Sequence, residues 1–286
     1  MRVADRVTQI VQACDKLPPF PAVATRLMGL VEAPDTNVED IVELISYDQA
    51  LTANCLRLCN SSYFGLREKV TSVHHAVVLL GTRKLCEIAL TISCGLSDYQ
   101  KRSLGYGLHP GELWRHSVTC AQVSRLVLRK MDWPEDSYAY TAALLHDVGK
   151  LILDQFVDSN FDQICRLMAA GSTPVQAEKK ALGIDHGDVG GLLCKSWKFP
   201  DALTDAIRSH HRALETDGPH LFQVVELSNL IAHVSTYHRA GLDLRTGPDV
   251  LSRFGLDQQD IQDVIEGVTA ELQRAEDLFK IPLLKN

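Results

Sequence analysis

The sequence predicts an all-α protein. Apolar residues recur at helical spacing along most of the chain. Polar breaks containing glycine or proline separate these segments. No run alternates with the two-residue period of a half-buried strand. Of the 286 residues, 45% are hydrophobic and 23% charged. These values are near the globular average, which favours a folded chain with a sizeable core.

The elements follow in order. Val3, Val7, Ile10, Val11 and Cys14 form one helical face. Leu17-Pro18-Pro19-Phe20-Pro21 stops that helix, and Pro21 suits the first turn of the next, where its missing N–H is not needed. Asp35-Thr36-Asn37 reads as a cap before a helix Val38–Ser46. Asp48 starts Ala50–Asn60, and Asn60-Ser61-Ser62-Tyr63-Phe64-Gly65 is a turn cluster. Ser72 opens His74–Leu80, and Gly81 leads into a helix reaching about Ser97. The second half predicts helices at Gly111–Arg129, Glu135–His146, Leu151–Ala169, Pro174–Leu182, His186–Trp197, Asp201–Ser209, Leu221–Arg239 and Gln258–Phe279. The polar stretch Asp98–Gly111 reads as the boundary between an N-terminal helical subdomain, 1–100, and a C-terminal one, 101–286.

Charge and cysteine content narrow the function. A formal charge of −7 disfavours the broad basic footprint of a nucleic-acid binder and leaves room only for a local basic patch. The eight cysteines include no C-x-x-C pair and fall mainly on apolar helical stretches. They read as reduced core thiols. The start, Met1-Arg2-Val3-Ala4-Asp5-Arg6, lacks the apolar core of a signal peptide, and no window approaches a membrane span of ~18 apolar residues. The expectation is a soluble, cytoplasmic protein without membrane contact.

The strongest local signal is Ala143-Leu144-Leu145-His146-Asp147-Val148-Gly149-Lys150. An apolar helix ends in adjacent imidazole and carboxylate, both ligands for first-row metals. Gly149 suits a helix-terminating position with positive φ. Lys150 offers a point charge to an anionic group. Alone, such a pair is more often a plain helix end. Other residues add to it. Glu112 and His116 stand four apart, one turn along one helical face. His186 follows the turn Gly183-Ile184-Asp185 and belongs in the first turn of its helix. His210 and His211 are adjacent, so on a helix they diverge by about 100° and could reach different ions. Each has an ordinary reading, as an exposed ion pair or a polar helix end. Together they place several ligand-capable groups at helix ends in one helical half. His74, His75, His109, His220 and His238 read as surface or capping groups, and His233 as a packed or solvated helical residue.

On these residues the chain resembles the HD superfamily of metal-dependent phosphohydrolases. His146-Asp147-Val148-Gly149-Lys150 looks like that superfamily's central motif. The wider pattern is similar to the bacterial HDOD domain, a signalling output module related to the HD-GYP phosphodiesterases. It is carried by Leu17–Leu30, Ile45–Leu51, Leu58–Phe64, Ala76–Gly81 and Leu182–Gly190, over roughly Leu17 to Tyr237. The resemblance implies a multi-helix HD-superfamily bundle with an N-terminal helical subdomain. It also implies metal positions at Glu112, His116, His146, Asp147, His186, His210 and His211. Two departures stand out. Ser228-Asn229 occupies the place of the closing Asp ligand, and no Gly-Tyr-Pro signature follows His211.

Two functions follow from the resemblance. One is a regulatory module acting on signalling proteins, in which a bound divalent metal is structural or sensory. The other is a phosphohydrolase acting on a nucleotide or other phosphorylated small molecule. There two ions, Fe or Mn, would activate a water for attack on phosphorus, with Asp147 and Lys150 as catalytic residues. A di-iron redox or oxygen-sensing site is a third possibility, since the same ligands suit iron. The missing Asp and Gly-Tyr-Pro favour the first. The sequence shows no receiver, sensor or DNA-binding segment, so inputs are expected from other chains.

Overall fold

The computed structural model describes residues 3–14, 22–32, 37–46, 49–60, 64–66, 69–95, 105–109, 111–134, 136, 138–212, 219–236, 254–255, 259–260, 262–263 and 266. Among them there are fourteen α-helices and no strand. The first half holds α1 (Val3–Cys14), α2 (Ala22–Glu32), α3 (Val38–Ser46), α4 (Gln49–Cys59), α5 (Val73–Leu80) and α6 (Thr82–Gly95). The second holds α7 (Glu112–Lys130), α8 (Ala139–Leu145), α9 (Lys150–Asp158), α10 (Phe161–Ala169), α11 (Pro174–Leu182), α12 (His186–Ser196), α13 (Asp201–Ser209) and α14 (His220–Thr236).

Local chemistry explains the boundaries. Asn37 Oδ1 accepts the Glu39 amide at 3.3 Å ahead of α3. Ser72 caps α5 through the His75 amide at 3.0 Å, and Gly81 ends it at φ 80°. Thr173 and Gln176 form a reciprocal capping box at α11, with Pro174 in the first turn. Asp185 caps α12 through the Asp188 amide at 2.8 Å, which fixes where His186 enters its helix.

One contiguous apolar core runs through both halves. Ile10, Leu27, Ile41, Leu85 and Ile92 are fully buried in the first, and Trp114, Leu144, Leu145, Leu182 and Leu193 in the second. Each such side chain contributes roughly 1.5–3 kcal/mol by leaving water. In the first half α2 to α6 pack on one another; in the second α7 packs on α8 and α14, and α12 on α13. Helix α1 packs against α9, α11 and α12, and the buried Arg6 donates to the Ala181 carbonyl. Helix α6 meets α7 and α8.

Three local expectations are corrected. The helix expected over Leu151–Ala169 is two helices, because Asn160 Nδ2 donates to the Phe156 carbonyl at 2.7 Å and turns the chain between α9 and α10. The helix expected from Glu135 starts at Ala139, because Asp136 Oδ1 takes the Tyr138 amide at 2.8 Å and sustains a turn there. Cys165 is exposed, whereas Cys14, Cys55, Cys59, Cys86, Cys120 and Cys194 are buried as expected. The expected Leu17–Pro21 stop, His238 and nearly all of Gln258–Phe279 lie outside the described residues. No helix among the described residues is long and apolar enough to cross a membrane.

Candidate metal centre

Helices α7, α8, α12, α13 and α14 bring their polar groups to one buried point, with Asp147 at its hub. This carboxyl is 1% exposed. Its Oδ2 lies 3.4 Å from His146 Nε2 and 3.7 Å from His116 Nε2. Its Oδ1 lies 3.3 Å from His186 Nε2 and 3.9 Å from His210 Nε2. One oxygen therefore faces His116 and His146, and the other faces His186 and His210. His211 completes the second side, its Nε2 2.8 Å from His186 Nε2.

Backbone contacts set the tautomers. His146 Nδ1 lies 2.8 Å from the Ala143 carbonyl, and His210 Nδ1 lies 2.7 Å from the Ile207 carbonyl. A carbonyl oxygen only accepts, so each Nδ1 carries the proton. In a neutral ring Nε2 is then a bare lone pair aimed inward. Both Nε2 atoms are buried without a hydrogen-bond partner, as is Asp147 Oδ1. Leaving three acceptors so costs roughly 1–3 kcal/mol each. A cation among them would satisfy all three, and His146, Asp147 and His210 offer ligand atoms within 4.8 Å of one another. Histidine and carboxylate suit a divalent first-row ion, so the residues present fit a metal.

Glu178 on α11 supports the site from behind. Its Oε2 accepts from His186 Nδ1 at 2.8 Å and from the His186 amide at 2.9 Å, and its Oε1 accepts from Tyr106 Oη at 3.0 Å. Carboxylate partners of this kind fix the orientation of a ligating imidazole. Tyr106 sits on a strap, 105–109, which Asp154 Oδ1 holds through the Gly105 amide at 2.8 Å. Lys150 Nζ is 2.7 Å from Asp147 Oδ2 and 5.6 Å above the Tyr106 ring.

Electrostatics follow from burial and these contacts. Burial holds His116, His210 and His211 well below the ordinary histidine value, and neighbouring imidazoles push the same way. Burial also pulls on His186, but Glu178 outweighs it and leaves that ring raised. Asp147 is pushed up by burial yet ends well below the carboxylate range, because His146 and Lys150 favour its charge.

Most of the expected site residues converge here: His116, His146, Asp147, Lys150, His186, His210 and His211. Glu112 is not among the clustered donors. Its Oε2 takes the His109 amide at 2.7 Å, at the turn entering α7. Gly149 has φ −62°, so positive φ is not its purpose. A Cβ there would collide with the His186 carbonyl oxygen and come within 2.7 Å of the Gly190 amide. The residue must be glycine so that the turn after Asp147 can lie against α12.

Four further residues join the site. Cys120 Sγ is 3.5 Å from His116 Nε2, and Cys120 groups with His116 and His146 as possible ligands. Its four-residue spacing from His116 was the available signal. His233 packs its ring 4.6 Å from that of His116, and Asn229 Oδ1 lies 3.0 Å from His116 Nε2. Glu178 had no local signal, because its partner is set by how α11 lies against α12.

The HDOD domain family profile matches residues 17–213. An uncharacterized protein of Treponema pallidum (strain Nichols) is 24% identical over 216 residues, covering 73% of this chain. The chain spans only 39% of that relative's length. Among solved structures, an HDOD domain protein of Geobacter sulfurreducens superposes with TM-score 0.70 at 25% identity, covering 97% of this chain and 100% of the other. A protein of Marinobacter aquaeolei VT8 named for signal transduction gives TM-score 0.70 at 24% identity, over 98% of this chain and 66% of the other. One of Shewanella amazonensis SB2B named for phosphohydrolase activity gives 0.68 at 22%, over 95% and 97%.

Proposed function

The chain belongs to the HDOD domain family, and from that premise we propose that it is a signalling module that holds a divalent metal and acts through protein partners. His116, His146, Asp147, His186, His210 and His211 would hold the metal. When bound, it supplies a fixed positive charge that ties α7, α12 and the ends of α8 and α13 to one point.

One observation supports regulation over turnover: most of the ligand residues are buried. His116, His146 and His210 are 0% exposed and Asp147 is 1% exposed. Among the described residues, a phosphoester would reach these four side chains only by displacing what covers them. Asn229, facing His116 at 3.0 Å, is a neutral and weaker ligand than the Asp of the catalytic relatives. The Marinobacter protein's name points the same way. Cytoplasmic location remains the expectation from the sequence.

A phosphohydrolase is the second reading, supported by the Shewanella protein's name and by Lys150. That ammonium is partly exposed and 2.7 Å from Asp147 Oδ2. It could hold a phosphoryl oxygen while Asp147 orients it.

The deciding experiment loads the protein with Mn2+ or Fe2+ and offers a phosphomonoester and phosphodiester panel. No turnover above the Asp147→Ala control, with metal retained by the wild type and lost on His146→Ala, supports the module. Turnover abolished by His146→Ala replaces it with the hydrolase.

A further inference from the structure

A cavity of about 190 Å3 opens between α2 and α6 on one side and α7 with the start of α8 on the other. None of its described lining residues belongs to the metal centre. Its floor is apolar, made by Met28, Cys86, Leu90 and Leu128, all buried. Around it stand Arg83, Arg125 and Arg129, with the rings of Trp133 and Tyr138.

The carboxylates that also line it are already engaged. Glu87 is buried; its Oε2 accepts from Arg125 at 2.8 Å and lies 3.8 Å from Lys84 Nζ. Asp136 Oδ1 takes the Tyr138 amide at 2.8 Å. Arg125 and Arg129 are one turn apart on α7, a spacing at which like charges repel. Arg129 is exposed and has no ion-pair partner among the described residues. A chain of net charge −7 therefore gathers surplus positive charge around a greasy, aromatic-edged hollow. Water and the Glu87 contact screen much of that repulsion, and an anion seated beside Arg129 would neutralise what remains.

Size limits the occupant. The volume falls below the ~300 Å3 where drug-sized pockets begin.

We propose that this cavity binds a small organic anion, a carboxylate or phosphate monoester on a compact apolar body. Arg129 donates to the anion from the rim and Arg125 adds charge from its place on Glu87. The body lies on the apolar floor beside Trp133. Ala139, Tyr140 and Thr141 of α8 line the cavity, and α8 ends immediately before His146. An occupant thus touches the helix that leads to the metal centre. The binding itself does not depend on the metal.

The test titrates the full chain with benzoate and with phenyl phosphate, following tryptophan fluorescence and calorimetry. The wild type should saturate with one probe or both at a Kd below about 1 mM, and which probe wins distinguishes carboxylate from phosphate. Arg129→Glu should bind at least about tenfold more weakly, and Trp133→Phe should lose the fluorescence change while keeping heat of binding. Arg129 is exposed, so the charge reversal leaves the core intact, which circular dichroism checks. No saturable signal with either probe, undiminished binding by Arg129→Glu, or a fluorescence change that persists in Trp133→Phe overturns the proposal.

Discussion

The Glu178 carboxylate takes two hydrogen bonds from His186 through one oxygen, from ring Nδ1 at 2.8 Å and from the backbone amide at 2.9 Å. This contact aims His186 Nε2 at Asp147. Glu178→Ala should therefore weaken metal binding by about 10–100-fold. Tyr106→Phe removes only the bond to the far oxygen and should cost less. Competition with a chelator measures both, and unchanged affinity in Glu178→Ala would remove His186 from the ligand set.

Gly149→Ala tests the close approach of α9 to α12. The added methyl meets the His186 carbonyl oxygen and the Gly190 amide, both backbone and unable to swing aside. Overpacking of this kind costs roughly 1–3 kcal/mol or more. Thermal melting should show the loss, and metal content should fall with it because His186 is pushed off Asp147. A neutral substitution would mean that the turn has slack.

Asn229→Asp places a second carboxylate beside His116 Nε2, now 3.0 Å from the amide oxygen. Without metal this buries a new charge at a position 5% exposed, and stability should drop. With Mn2+ or Fe2+ the same charge becomes a ligand, so metal affinity should rise and the melting temperature recover. Elemental analysis and melting with and without metal give the comparison. A variant equally destabilised in both states would show that Asn229 does not face the ion.

Acid should destabilise the metal-free protein. Burial holds His116, His210 and His211 below the ordinary histidine value of about 6.5, and His233 falls to about 4. The unfolded chain therefore binds more protons than the folded one below pH 6.5. Stability present above that point is lost as pH falls, by about 1.4 kcal/mol per unit for each such group. Asp147, held below 3.8, adds to the loss at still lower pH. His186 runs the other way, since its raised value favours folding until pH rises through it. Four histidines oppose one, so the melting temperature should fall between pH 7 and pH 5. An increase over that range would contradict neutral imidazoles in the core.

His146→Ala and His210→Ala each remove an inward lone pair that has no protein partner. Both should abolish stoichiometric metal. The metal-free proteins should lose less stability than buried truncations usually cost, because an unsatisfied acceptor goes with the ring. Melting of the metal-free forms against the wild type checks this. A loss above about 4 kcal/mol would show that the rings are mainly packing elements.

Much of this protein was legible in the chain itself. The bounds of α1, α3, α11 and α13 follow from periodicity, caps and prolines, because these act within a turn or two of sequence. His146, Asp147, His116, His186, His210 and His211 stood out as ligand types at helix ends. What sequence could not give was the pairing across helices. Glu178 behind His186, Cys120 and His233 beside His116, and the glycine at 149 depend on how α7, α11, α12 and α14 lie against one another. Glu112 shares a helical face with His116, yet a backbone amide one turn away takes its carboxylate. Helical period constrains neighbours three or four residues apart, whereas contacts between helices are chosen by the packing of the whole core, and only the tertiary structure carries that choice.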